Sequence, residues 1–409
     1  MPSISTRAKT VPLSPFRKLI PIADEAKANG VHVYHLNIGQ PDILTPPEAV
    51  QQFKELDWDI LPYSPSKGIL SYRLALVDYF ARYGVDLHAD QVAVTTGGSE
   101  ALLLLFMACL DPGDELIIPE PFYANYNGFA HMAGVQIEPI SCQIEDGFQL
   151  PSPEEFARKI GPKTKAIMIT NPNNPTGACY SPDQLEQLAD ICRANGLFFF
   201  ADEVYREFNY TSRPSSLLGI QNLDDQAVVI DSVSKRYSAT GARVGAIASR
   251  NAEVMAAIDR FAKLRLSPPG LGQMLSECML QNDDAYLDEV QEEYRNRRDL
   301  VYRRLQAMPG VFSYRPGGAF YCFARFPIQD SEHFCHWLLS EFNHKGSTVM
   351  LSPGPGFYAT PGLGKDECRI AYVLNETELD AAMDCLEEAL RVYAREESLV
   401  TQSLSMVTG

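Results

Sequence analysis

Two stretches decide how this chain folds: "LFFFADEVY", residues 197–205, and "AVVIDSVSKRYSATGARVGAIAS", residues 227–249. Each is a short apolar run that breaks off at a polar residue, and the second reads directly into a lysine, two arginines and two glycines. Runs this short, rich in β-branched and aromatic residues, are strands buried on both faces. Working outward, the same alternation begins near Gln91. "VAVTTGG" precedes "SEALLLLFMACL", "DELIIPEP" precedes "FYANYNGFAHMAG", and "KTKAIMIT" leads through a loop into "PDQLEQLADICRANG". Strands alternating with helical patterns build βαβ units and a mostly parallel sheet, so the expected class is α/β. Ligands in such sheets bind beyond the carboxyl ends of the strands, which makes the residues after each run the candidates.

Four run ends carry unusual groups. After "VAVTT", Gly97, Gly98 and Ser99 open a helix, where small residues let a backbone approach an anion and the first N–H groups are free. After "AIMIT" the loop "NPNNPTG" presents Asn174, either in a plain turn or as a fixed directional donor. Asp202 ends a buried apolar run, which is costly unless it meets a cation or hydrogen bonds. The last run delivers Ser232, Ser234 and Lys235, with Arg243 between Gly241 and Gly245. A lysine, an aspartate, an anion-binding helix start and a phosphate-binding arginine together match pyridoxal 5′-phosphate. Its aldehyde forms a Schiff base with a lysine, its ring nitrogen takes an acidic partner, and its phosphate needs donors.

The C-terminal part has a different texture. A charged helical stretch, "DEVQEEYRNRRDLVYRRLQAM", precedes the hairpin-like "FSYRPGGAFYCFARF". The helix "ETELDAAMDCLEEALRVYA" follows, with Asn375 as its N-cap and Leu379, Met383, Leu386 and Leu390 on one face. This region reads as a smaller α+β domain. The segment through Asp42 shows no sheet-like alternation of its own and is expected to pack onto it, and the tail after Arg395 is expected to fray.

With the motifs S-V-S-K-R-Y-S-A-T-G-A-R-V-G around Lys235, N-P-N-N-P-T-G around Asn174, A-D-E-V-Y at Asp202 and C-R-I-A-Y at Arg369, the chain resembles the class I/II pyridoxal-phosphate aminotransferases over nearly its whole length. "LNIGQPD" and "PGGAFY" look like the same family. The resemblance implies fold type I, aspartate aminotransferase-like: a large domain, 46–290, with a mostly parallel mixed sheet sandwiched by helices, and a smaller α+β domain from 1–45 and 291–409. It also implies transfer of an amino group between an L-amino acid and a 2-oxo acid by a ping-pong mechanism. Carried over residue by residue, Lys235 is the Schiff-base lysine and proton shuttle. Asp202 pairs with the ring nitrogen, Asn174 and Tyr205 hold the ring hydroxyl, and Tyr123 stacks on the ring. Gly98, Ser99, Ser232, Ser234 and Arg243 bind the phosphate, joined by Tyr63 from the partner subunit of a homodimer. Arg369 clamps the substrate α-carboxylate and the backbone of Gly39 lies over the substrate. The same framework hosts lyases, carbon–sulfur β-elimination among them, which stands as the alternative. Relatives specific for aspartate often carry Lys and Trp where this chain has Ser99 and Tyr123, which tells against a dicarboxylate substrate unless an arginine elsewhere, such as Arg17, compensates.

Composition sets the surroundings. The formal charge of −17 repels phosphate backbones and anionic lipid, so neither nucleic acid nor a membrane is an expected partner. Nine scattered cysteines, with no C-x-x-C pair, read as reduced thiols in a cytoplasmic protein, and the N-terminus shows no apolar leader. "HFCHW" brings His333, Cys335 and His336 together, but with no further ligands nearby it reads as a helix face rather than a metal site.

Overall fold

A computed structural model describes residues 2–12, 17–282 and 284–408. Its strands, in chain order, are β1 (His32–His35), β2 (Val92–Thr95), β3 (Glu115–Glu120), β4 (Gln136–Ser141), β5 (Thr164–Thr170), β6 (Phe198–Asp202), β7 (Ala227–Ser232), β8 (Gly245–Ala248), β9 (Phe312–Ser313), β10 (Tyr321–Arg325), β11 (Ser347–Met350), β12 (Ser352–Pro353) and β13 (Glu367–Ala371). Seven of them form one sheet in the order β2-β8-β7-β6-β5-β3-β4. The pairings are parallel from β7 through β4, and β8 runs antiparallel to both β2 and β7. The sheet is therefore mixed and mostly parallel.

Alternation along these strands splits the apolar residues between two cores. Val94, Ile117, Ile167, Ile169, Phe199 and Val229 pack into one. Ala93, Leu116, Ile118, Met168, Phe200, Val228 and Ile230 pack into the other, together with Leu105 and Phe106 of the helix Gly97–Cys109. A strand with both faces covered needs apolar residues at every position, which is why these runs are short and continuous. The same parity carries on to the strand ends. Thr170, Asp202 and Ser232 fall on the side of the helix Gly97–Cys109, while Asp231 and Glu203 fall on the other.

The remaining strands form a four-stranded sheet, β12-β13-β10-β9, and the pair β1-β11. They enclose a third core with Leu379, Met383 and Leu386 of the helix Glu376–Thr408. Asn375 caps that helix, its Oδ1 accepting from Glu378 N at 3.0 Å. Two expectations need correction. The N-terminal segment does carry a strand, β1, paired in parallel with β11. The chain beyond Arg395 stays helical to Thr408, having neither Pro nor Gly to stop it before Gly409. In addition "QIEPIS", for which the sequence pattern gives no strand, forms β4, an edge strand whose Pro139 and Glu138 hide the alternation.

Candidate active site

A cavity of about 220 Å³ opens beyond the carboxyl ends of β5, β6 and β7, which deliver Thr170, Asp202 and Ser232 to it. At one end lies the start of the helix Gly97–Cys109. Its N-cap, Thr96, makes no side-chain cap bond, so the helix start is left uncapped at Gly98 and Ser99, which line the cavity. A Cβ on Gly97, which sits at φ 72°, would fall 2.5 Å from Nη2 of Arg243, so only glycine lets that guanidinium approach the helix start. Arg243 itself adopts φ 54°, a left-handed conformation costing about 1–2 kcal/mol for a side-chain-bearing residue. Its Nη1 donates to the carbonyl of Thr240 at 3.0 Å. Ser234 completes this end. The Ser232 oxygen is already engaged, accepting from Ser234 N at 3.1 Å as cap of the short helix Val233–Arg236 and lying 2.9 Å from Val244 O.

In the middle, Asp202 Oδ2 accepts from the Tyr126 hydroxyl at 2.7 Å and Oδ1 from Val204 N at 3.3 Å. It makes no salt bridge among the described residues. Burial outweighs these hydrogen bonds and pushes its carboxyl up to about 6. Lys235 Nζ donates to the carbonyl of Gly39 at 2.6 Å. Burial first, then the positive charges of Arg369 and Arg243, lower its amine to about 8.

The lowered lysine has a consequence for stability. Because the folded state releases its proton near pH 8 and the unfolded chain near 10.5, stability rises with pH across that window and the full penalty applies below it. Lys235→Met is therefore expected to stabilise the apoprotein at pH 7 by about 2–3 kcal/mol. Denaturant unfolding checks this, and equal midpoints for the two proteins would refute it.

At the far end Arg369 lies buried between the rings of Tyr321 and Phe357, its Cζ 4.5 and 4.9 Å from their centroids. Its Nη1 donates to Asn174 Oδ1 at 2.9 Å and its Nη2 to the carbonyl of Asn37 at 2.6 Å, while its Nε is buried without a partner. The hydroxyls of Tyr205 and Tyr321 meet at 2.8 Å. Tyr321 also closes over Gly39, where a Cβ would fall 1.7 Å from the tyrosine oxygen.

Gly39, Gly98, Ser99, Tyr123, Asn174, Asp202, Tyr205, Ser232, Ser234, Lys235, Arg243 and Arg369 thus all line this one cavity. Tyr63 does not: it is 80% exposed, beside Leu61, Pro62 and Pro268–Pro269. Arg17 is exposed and likewise does not line the cavity. Sequence reading missed Thr170, Tyr126 and Tyr321. Tyr321 ends the quoted "PGGAFY", and Thr170 ends its run just as Asp202 does. Tyr126 looks like any aromatic in a helix. The "HFCHW" residues diverge: His333 Nδ1 meets the Tyr393 hydroxyl, His336 Nδ1 meets Ser340, and Cys335 faces Cys368.

Comparison with known proteins decides what this site belongs to. The sequence model described as "Aminotransferase class I and II" matches residues 31–386. The chain belongs to that family. It is 30% identical over 393 residues to the aspartate aminotransferase of Pyrococcus horikoshii, covering 95% of this chain and 97% of that one. It is 31% identical over 400 residues to the aromatic-amino-acid aminotransferase 2 of Thermococcus litoralis, covering 95% and 98%. The solved alanine aminotransferase of Pyrococcus furiosus superposes with a TM-score of 0.87 at 32% identity, covering 95% of this chain and all of that one. This aminotransferase is accordingly a pyridoxal-phosphate enzyme that moves an amino group between an L-amino acid and a 2-oxo acid, and nothing in these likenesses favours a lyase. The cavity fits the cofactor on its own terms. It offers a buried carboxylate with no cation, a recessed amine, and an uncapped helix start beside a guanidinium.

Proposed function

We propose that the aminotransferase works through Lys235, Asp202 and Arg369, and that it favours L-amino acids with uncharged side chains. One observation carries this reading. The lowered amine, a buried carboxylate in no salt bridge among the described residues and a buried guanidinium all line a single cavity. The cofactor supplies an aldehyde carbon that takes up the amino group and a ring that accepts the electron pair left at Cα. Asp202 holds a proton on the ring nitrogen. Asn174 and Tyr205 hold the ring hydroxyl, and Tyr123 covers the ring. Gly98, Ser99, Ser232, Ser234 and Arg243 hold the phosphate. Lys235, its amine lowered to about 8, would serve as the base that holds the substrate's Cα proton. Arg369 directs its guanidinium at the α-carboxylate, a fork matched by shape as well as charge.

The side-chain preference rests on what surrounds the cavity. Its cations are Lys235, Arg243 and Arg369, each already assigned, and its apolar walls are Ile38, Leu102, Tyr123, Val204 and Tyr321. A second carboxylate would be left unpaired. Half-reactions with single amino acids and no 2-oxo acid test both parts. Release of one 2-oxo acid per site without ammonia is expected, with L-alanine or L-phenylalanine at least about tenfold faster than L-aspartate. Ammonia release would overturn transamination, and fastest reaction with L-aspartate would overturn the preference. Replacing the fork with a point charge, Arg369→Lys, is expected to raise KM for both substrates by about 10–100-fold. Unchanged KM would remove Arg369 from the substrate site.

We further infer a division into bodies 46–290 and 1–45 plus 291–409, supported by the separate sheets and cores. A homodimer is supported by Tyr63, Ile60, Leu264 and Leu266, exposed at 80, 77, 81 and 54%. Apolar side chains this exposed are fit to meet a second copy. A cytoplasmic setting is supported by nine free cysteines. No helix among the described residues is long and apolar enough to cross a membrane.

A further inference from the structure

On the face of the sheet turned away from the cavity lies a cluster of buried charges that the reaction does not use. Three chain segments reach both places. β6 gives Asp202 to the cavity and the next residue, Glu203, to the cluster. β7 gives Ser232 to the cavity and Asp231 to the cluster. The one-turn helix Val233–Arg236 gives Lys235 to the cavity and Arg236 to the cluster.

The members hold one another closely. Arg206 meets Glu203 at 2.5 Å and Asp231 at 3.8 Å, and Arg236 meets Asp231 at 2.5 Å and Glu207 at 3.7 Å. The Tyr79 hydroxyl accepts from Arg206 at 3.0 Å and donates to Glu207, and the Arg236 guanidinium lies 3.8 Å over the Tyr79 ring. All five charged side chains are buried. Burying such groups costs more solvation than their pairing returns, so stability alone gives no reason for them. Arg236 Nε and Nη1 even lack hydrogen-bond partners, leaving that side chain held by the Nη2 hydrogen bond to Asp231, by charge and by the ring. What the cluster does accomplish is to lock together three segments that each carry a cavity residue.

We propose that Arg236 is a positioning residue for Lys235. Clamped from behind by Asp231, Glu207 and Tyr79, it fixes the one-turn helix so that the lysine amine stays aimed into the cavity beside the Gly39 carbonyl. The inference rests on the role proposed for Lys235.

The test compares the wild-type enzyme with Arg236→Lys and with the charge-balanced double variant Asp231→Asn/Arg236→Met. In the apoproteins, the pH dependence of trapping Lys235 with pyridoxal phosphate and borohydride is measured. In the holoenzymes, kcat, KM and the isotope effect of Cα deuteration are measured with the best donor. Misplacing a catalytic amine lowers the chemical step without weakening substrate binding, so the double variant is expected to lose about 10–30-fold in kcat at unchanged KM. Its isotope effect should grow, and its trapping midpoint should move up by about one pH unit as the amine becomes better solvated. Arg236→Lys should recover kcat to within about threefold of wild type. A lower unfolding midpoint with kcat, isotope effect and trapping midpoint unchanged would overturn the inference. Should the double variant fail to fold, Glu207→Gln, which loosens the clamp on Arg236 from one side, carries the test, expected to shift the trapping midpoint in the same direction, and an unshifted midpoint overturns the inference. Failure of the Lys235 assignment itself looks different: the wild-type protein would then trap no cofactor at Lys235.

Discussion

Lys235→Ala is expected to lower kcat by about 10⁴-fold or more, because one substitution removes both the group that attaches the cofactor and the base that moves the Cα proton. Among the described residues the amine is the only one lining the cavity, and its lowered proton affinity is what makes it a base near neutral pH. Alanine also leaves Gly39 O without its 2.6 Å hydrogen bond, but that carbonyl sits beside an open cavity where water can replace the donor. The variant should therefore stay folded. Half-reaction rates and borohydride trapping check the prediction together: activity near wild type would remove Lys235 from the chemistry. Trapped cofactor in the variant would mean that another amine does the work.

The second large effect concerns Asp202. Asp202→Asn keeps the shape and the Tyr126 hydrogen bond but removes the negative charge, and kcat is expected to fall by about 10²–10³-fold, as for other preorganised electrostatic partners of a developing charge. The same substitution should change stability in a defined window. The carboxyl titrates near 6 in the folded apoprotein and near 3.8 when exposed, so the folded state binds the proton more tightly. The contribution of Asp202 to apoprotein stability is thus greatest below pH 3.8, is lost as pH rises towards 6, and stays lost above it. Asparagine cannot titrate, and its apoprotein should lack that pH dependence while being more stable at pH 7. Cofactor binding should weaken in the variant, since the cation that relieves Asp202 no longer finds an anion. Wild-type kcat with an unchanged pH–stability profile would refute the assignment.

The residues most legible in the sequence were those that break a pattern. Asp202 and Lys235 interrupt apolar runs that have no use for charge, and Asn174 sits between two prolines, so each needed a chemical reason. Arg369 was legible only through its motif, because an arginine at the middle of a strand has no periodicity of its own. Tyr126 was not legible, since a helical aromatic that packs and one that packs while donating to a carboxylate are spelled alike. Strand β4 hid behind Pro139, and β1 behind its brevity, four residues whose partner, β11, lies more than 300 positions away. The buried charges fell between the two cases. Glu203, Asp231 and Arg236 stood in the quoted motifs and Arg206 one position past them, yet only the parity of β6 and β7 shows that they face away from the cavity.

That parity also says how such a protein can change. Inserting or deleting one residue within β6 would exchange the two faces, sending Glu203 to the cavity and Asp202 to the opposite side, and one within β7 would do the same to Asp231 and Ser232. Length changes there are barred to a working lineage, however mild the residue added. Three of the apolar walls come from other places: Ile38 from a loop near the N-terminus, Leu102 from the helix Gly97–Cys109, Tyr321 from β10. New substrates can be reached by editing those three, one at a time, while the frame that reads the cofactor never shifts.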